Sequence, residues 1–452
     1  MVRLQQLWED LRASFWFVPS LIILVMIALA IGLIEAESLI TSQTLADWPR
    51  LLGAGVEGAR GMLEVVAGSV ITVAGVAFSI TVVALTLASN QYTPRILRNF
   101  MRDRANQVVL GVLVGVFTYC LIVLRTIRSG AESFVPSLAV LGGFFLALAS
   151  VGVLIFFIHH IAVNIQAETI IASIAEETTE AIDRLFPEEM GLDEDEGETE
   201  KPEWRLASLI WRPIPATAAG YIQNVGNEAL LRLARELRAV IRMERGVGEF
   251  VVEGAPLVSL SSEVEPDREI INRLNKAYAI NRYRTVEQDA GFGVRQIVDI
   301  ALKALSPGIN DTTTAVMCVD YLTAILARLA RRRIPSRYRF DEGELRVIAR
   351  GPSFERMLGA AFNQIRRNSE GKVAVIARML DCLEVLAGET RHAGRRRSLW
   401  RQLETLTEMA ERAVLSLHDR SAIKERCDRV AQKLNEAELD DYFSSRRKEG
   451  AM

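Results

Sequence analysis

A run of about 26 residues, Leu63 to Ala88, holds a single ionisable side chain, Glu64, at its start. At about 1.5 Å of rise per residue, a helix of that length crosses a bilayer with room for tilt. One face of it is not oily. Gly68, Thr72, Gly75, Ser79, Thr86 and Asn90 recur at helical spacings and share one side. Small and hydroxylated residues let membrane helices approach closely, and they equally suit a face turned to water in a pore or cavity. Sequence alone leaves both readings open. Past Asn90 the run gives way to a basic segment holding Arg95, Arg98, Arg102 and Arg104.

Three more apolar stretches flank this one, so the chain predicts four spans, at about 16–34, 63–88, 108–124 and 134–158, within a transmembrane domain of residues 1–164. The first lacks a small-residue cleavage site with a polar mature start, and reads as an uncleaved span rather than a signal peptide. An acidic loop, Glu35 to Met62, separates it from the second. In the third span Gly111 and Gly115 form a GxxxG packing signal. His159 and His160 close the fourth. Adjacent histidines point apart on a helix, no carboxylate or cysteine lies at ligand spacing, and no metal site is expected. The loop between spans two and three carries four arginines, while the loops after spans one and three carry two each. The positive-inside rule then puts both termini and everything after the fourth span in the cytoplasm.

Half of the residues are hydrophobic, but they concentrate in the first 165 positions and charge concentrates afterwards. A large water-soluble region therefore follows the membrane domain. A formal net charge of −3 makes no case for nucleic acid. The four cysteines stand singly, with no CxxC pair, which argues against structural zinc or a disulfide framework and fits a reducing compartment. Residues 165–187 read as an amphipathic extension of the fourth span. Residues 188–203, almost all acidic or small, read as a solvated linker. Residues 204–264 read as a small β-rich, barrel- or sandwich-like module; its stretch from Gly248 to Leu257 looks like the hairpin of biotinyl and lipoyl carrier folds, without the carrier lysine. Residues 265–452 read as a helical domain, with helices at Arg268–Ala279, Gly291–Leu305 and Thr312–Arg333, an extended piece near Leu345–Ile348, and three further helices. The arginine clusters at 331–333 and 395–397 read as solvated faces. The fold class is mainly α: a four-helix membrane domain, then an α+β domain.

No P-loop, GxGxxG, HExxH or GxSxG occurs, and no enzyme chemistry or cofactor is expected. The one dense polar constellation is Arg282, Arg284, Glu287 and Asp289, followed by Asp299 and then Asn310, Asp311 and Thr312. A helix start rich in hydroxyls offers free N–H groups to a small anion, though Asp311 would repel one. The competing reading is helix capping and ion pairing between packed helices.

Gly75-Val76-Ala77-Phe78-Ser79, Ser89 through Arg95, Arg102-Asp103-Arg104 and Gln107 resemble the bacterial predicted membrane proteins of domain of unknown function 2254. Glu287-Gln288-Asp289 and the stretch from Asp299 to Asp311 resemble it too, and Thr312 stands where the resemblance would place a proline. The resemblance implies a bacterial inner-membrane protein and brings no assigned activity. Together these readings lead to the expectation of a homo-oligomeric, channel-like protein of the lipid bilayer with a cytoplasmic regulatory domain. Its partners would be ions or a small anionic ligand. The alternative is a membrane-tethered sensor or scaffold.

Overall fold

The computed structural model describes residues 16–37, 55–91, 103–129, 134–187, 206, 208–286 and 288–449. The chain divides into two compact units, Met1–Thr169 and Ile170–Met452.

In the first unit, α1 (Phe17–Glu37), α2 (Val56–Gln91), α3 (Arg104–Thr126) and α4 (Ser137–Asn164) each outrun the span expected from hydropathy. Polar residues at the ends lower local hydropathy without ending a helix. Thus α2 already starts at Val56, because Ala59 is buried ahead of Leu63. Asp103 starts α3 early, its carboxylate accepting from the Ala105 amide at 3.0 Å. Glu37 accepts from the Leu138 amide at the start of α4. The expected continuous extension of the fourth span is instead interrupted. α4 ends with Ile165 as its cap, and a new helix, α5 (Ala167–Leu185), begins.

Helix α3 sits at the centre of this unit, with Val109, Leu113, Val116, Tyr119 and Val123 buried. Its GxxxG glycines make the seam with α1: a methyl group on Gly111 would meet Pro19 Cα at 2.9 Å, and one on Gly115 would meet Met26 at 2.8 Å. Tyr119 donates to the Ala139 carbonyl at 2.7 Å, and Gly142 on α4 leaves room for its ring.

The second unit is α+β. After α5 come β1 (Trp211–Pro215), β2 (Gly220–Val225), α6 (Asn227–Glu236), β3 (Ile241–Met243), β4 (Phe250–Val251), β5 (Pro256–Ser261), α7 (Arg268–Lys276) and β6 (Tyr278–Asn281). Then follow α8 (Ala290–Leu305), α9 (Thr312–Ala330), β7 (Tyr338–Asp341), β8 (Glu344–Ile348), α10 (Phe354–Asn368), α11 (Val373–Gly388), α12 (Ala393–Ala413) and α13 (Leu417–Glu449). The strands form a five-stranded sheet, ordered β1-β5-β3-β8-β7, and a three-stranded sheet, ordered β4-β2-β6. The stretch from Gly248 to Leu257 is therefore no hairpin: β4 and β5 belong to different sheets. Nor do residues 204–264 close on themselves, since β6, β7 and β8 come from later in the chain. The helix read at Arg268–Ala279 stops at Lys276, and Tyr278 enters β6. Helix α10, unread in the sequence, packs against α8 and α12.

Candidate functional site

Helix α2 presents three faces. Ala59, Leu63, Ala67, Val70, Ala74, Ala77 and Ala84 are buried against the rest of the bundle, so the intrachain seam is one of alanines. At about 100° per residue, the line of Gly68, Thr72, Gly75, Ser79 and Thr86 falls roughly opposite that seam. All five are exposed in the single chain. A methyl group on Gly68 or Gly75 would find nothing within 4 Å. Valines, Ile71, Ile80 and Phe78 flank the stripe, also exposed. Each stripe hydroxyl donates to the carbonyl four residues back, Thr72 to Gly68 at 2.8 Å, Ser79 to Gly75 at 2.9 Å and Thr86 to Val82 at 2.8 Å. Among the described residues, the stripe is thus not a seam within its own unit. The Asn90 side chain and Arg95, Arg98 and Arg102 lie outside the described residues; Arg104 opens α3.

The polar constellation of the second unit does not gather at one point. Helix α8 alone, 16 residues long, separates Asp289 from Asn310 and Asp311 by about 24 Å of rise. It resolves into separate local pairs. Arg284 binds Asp289 at 2.7 Å and lies over the Phe292 ring. Gly248, at φ +83°, permits their close approach, since a side chain there would strike both. Burial raises the Asp289 carboxyl above its ordinary range, and Arg284 only partly offsets this. Asp299 pairs with Arg295 one turn away at 2.9 Å. Asn310, at φ +52°, accepts from Lys372 at 2.6 Å. Asp311 caps α9 through the Thr314 amide at 3.0 Å and its hydroxyl at 2.5 Å. That helix start, beginning at Thr312, is therefore filled by the chain's own carboxylate. Arg282 is exposed, and Glu287 lies outside the described residues.

Two sites escaped the sequence reading. His160, with no carboxylate at ligand spacing in the sequence, stands with Nε2 at 2.6 Å from Asp103, the carboxylate that caps α3; Asn164 Nδ2 is 2.8 Å from the same ring nitrogen. The residues are 57 positions apart, so no local spacing could show it. The arginine clusters are also not uniformly solvated. Arg332, Arg395 and Arg396 are buried. Arg395 donates to the carbonyls of Ala330 and Arg332 at 2.6 and 2.9 Å, closing the C-terminal end of α9.

Among the described residues, five helices are long and apolar enough to cross a membrane: α1, α2 (to Leu87), α3, α4 and α9. Apolar helices of this length followed by an α+β unit define a predicted membrane protein of several spans. The chain belongs to the family described as Predicted membrane protein (DUF2254), whose model matches residues 12–385. It is 34% identical over 430 residues to the uncharacterized proteins Rv1290c of Mycobacterium tuberculosis (strain ATCC 25618 / H37Rv) and Mb1321c of Mycobacterium bovis (strain ATCC BAA-935 / AF2122/97), covering 93% of this chain and 81% of each of theirs. No solved structure matches the chain.

Proposed function

We propose that the protein is a homo-oligomeric, channel-like protein of the bacterial inner membrane, with α2 stripes from several copies converging on one axis and a cytoplasmic regulatory domain. One observation carries this reading: the glycine and hydroxyl line of α2 is exposed, facing away from the other described helices of its own unit. Lipid tails select large apolar side chains, and those fill both flanks of the stripe. The stripe itself calls for another helix or for water.

We assign the spans to α1–α4. Helix α9 is apolar enough to cross, but Asp320 on it pairs with Arg378 of α11, and Arg328 pairs with Asp183 of α5 at 2.7 Å. Charges placed this way suit a helix of a water-soluble core better than a lipid-facing one.

A second reading, a tethered sensor or scaffold, is favoured by the stripe hydroxyls, which are all spent on their own backbone as in a dry helix seam. Ser79→Asp separates the two. In a wet path the variant assembles and shifts conductance towards cations; in a dry seam an unpaired carboxylate costs about 2.5–3.5 kcal/mol and the particle comes apart. The channel reading is lost if Ser79→Asp fails to assemble and the wild type conducts nothing in planar bilayers.

A further inference from the structure

The five-stranded sheet contains one parallel pair among the described strands, β3 and β8. The chain leaves β3 at Met243 into Glu244, and leaves β8 through Ala349-Arg350-Gly351-Pro352-Ser353 into α10. A cavity of about 990 Å³ opens at these two strand ends. Ligands of open α/β sheets sit at the carboxyl ends of parallel strands, and this volume is at the upper end for small-molecule pockets.

The wall is cationic. Six lining residues are arginines, at 242, 333, 337, 339, 350 and 356, and the one lining carboxylate is Glu244. Two acids answer part of this charge. Glu244 binds Arg242 at 2.7 Å, and Glu249 binds Arg350 at 2.8 Å and lies 3.7 Å from Arg356. Arg337 extends over the Tyr338 ring with its centre 5.3 Å away. Arg339 is half-buried and faces no carboxylate among the described residues, so that burial alone pushes its guanidinium below the ordinary arginine range. A desolvated guanidinium without a counter-charge is costly, and an anion from solution would remove that cost. The fixed structure adds donors of its own. Helix α10 is 15 residues long and begins at the cavity wall, with Ser353 and Arg356 both lining it. Its first-turn amides and dipole favour negative charge there. Arg350 also donates to the Glu244 carbonyl at 3.0 Å, and so ties the two strand ends together.

We propose that this cavity binds a soluble, multiply phosphorylated small molecule of nucleotide size, held by Arg337, Arg339 and the N-terminus of α10. Guanidinium forks match phosphate oxygens in pairs, and a ligand with two or more phosphates is what several arginines around one space can satisfy together. The site lies within the soluble unit, far along the chain from the α2 stripe. Its occupancy is independent of whether the membrane helices conduct, and a failure of the channel reading leaves it standing.

The test uses the full-length protein in detergent, titrated calorimetrically with pyrophosphate, ATP and adenosine. Saturable binding of pyrophosphate and ATP, weakened by salt, is expected, with none of adenosine. Arg339→Gln and Arg337→Gln should each weaken affinity by roughly tenfold, the loss of one charge-assisted contact. Arg273→Gln, at a partly exposed arginine that pairs with Glu236 and does not line the cavity, should leave it unchanged. Arg337 is exposed, so its variant carries the test should Arg339→Gln fold poorly. Absence of saturable pyrophosphate binding overturns the proposal, as does binding that neither arginine variant alters. Tighter saturable binding of short-chain phosphatidylglycerol than of pyrophosphate, lost in Arg337→Gln, overturns the soluble ligand in favour of a lipid headgroup.

Discussion

Asp103 does two things at one helix end: it caps α3 through the Ala105 amide and it holds His160 of α4. An aspartate in that position satisfies an amide that would otherwise lack a partner, and it fixes where the end of α4 meets the start of α3. Asp103→Ala should lower the melting temperature of the detergent-solubilised protein by the equivalent of about 1–2 kcal/mol, and Asp103→Asn should restore most of it, because Asn caps about as well as Asp. If Asn is no better than Ala, the contact with His160 and not the cap carries the effect. Asp183 is the corresponding joint in the second unit, gripped by Arg328 at 2.7 Å and by Arg332 at 2.7 Å. The Arg328 hydrogen bond, opposed by partial desolvation and helped by Arg332, holds its carboxyl below the ordinary range. A depressed carboxylate stabilises the fold fully above its unfolded value of about 3.9 and ceases to do so as pH falls through the folded value. The melting temperature should therefore fall as acid passes below about pH 4, and Asp183→Asn should flatten that limb while lowering stability at neutral pH. An unchanged acid limb in the variant would place the pH dependence on other carboxylates.

Glycines at helical spacing occur twice in the membrane unit and do opposite things. Gly111 and Gly115 are filled by Pro19, Ile22 and Met26 of α1, while Gly68 and Gly75 face open space. Gly111→Leu should thus abolish the folded monomer, since the inserted side chain meets backbone at 2.9 Å with no room to shift. Gly68→Leu should leave the monomer's stability nearly unchanged and disturb only contacts between copies. Size-exclusion profiles and melting curves of the two variants distinguish these effects. The contrast also marks the limit of sequence reading. Apolar runs and the GxxxG pair were legible because period and length are local properties, and the Asp311 cap was legible because its partner is three residues away. Sheet membership was not. β3 pairs in parallel with β8, about a hundred residues later, and nothing in Ile241-Arg242-Met243 announces a partner at Val347. The His160–Asp103 pair, the burial of Arg395 and the arginine cavity fail to show for the same reason: each is made by residues that only the tertiary fold brings together. Helix α10 is the local failure. Its sequence mixes Arg356, Arg366 and Arg367 with a narrow apolar face of Phe354, Met357, Leu358, Ala361, Phe362 and Ile365, all buried.

At the scale of the whole chain, the distribution of arginines sets an expected orientation. The basic segment from Arg95 to Arg104 follows α2 in the sequence, and by the positive-inside rule it is expected to face the cytoplasm. If α1–α4 are the spans, the start of α2 is expected outside and the α+β unit inside. The native thiols do not confuse a labelling test, because Cys120, Cys318, Cys382 and Cys427 are all buried. Burial also pushes the Cys382 thiol up to about 11, so little of it is thiolate at neutral pH. Gly58 is exposed with nothing within 4 Å of an added methyl group, and Glu263 is an exposed position in the second unit. In intact cells a membrane-impermeant maleimide should label Gly58→Cys and leave Glu263→Cys unlabelled; after permeabilisation both should react. The reverse pattern would invert the topology and place the arginine cavity outside the cell. Labelling of both in intact cells would put an even number of spans between the two sites, so that one of α2, α3 and α4 does not cross the membrane.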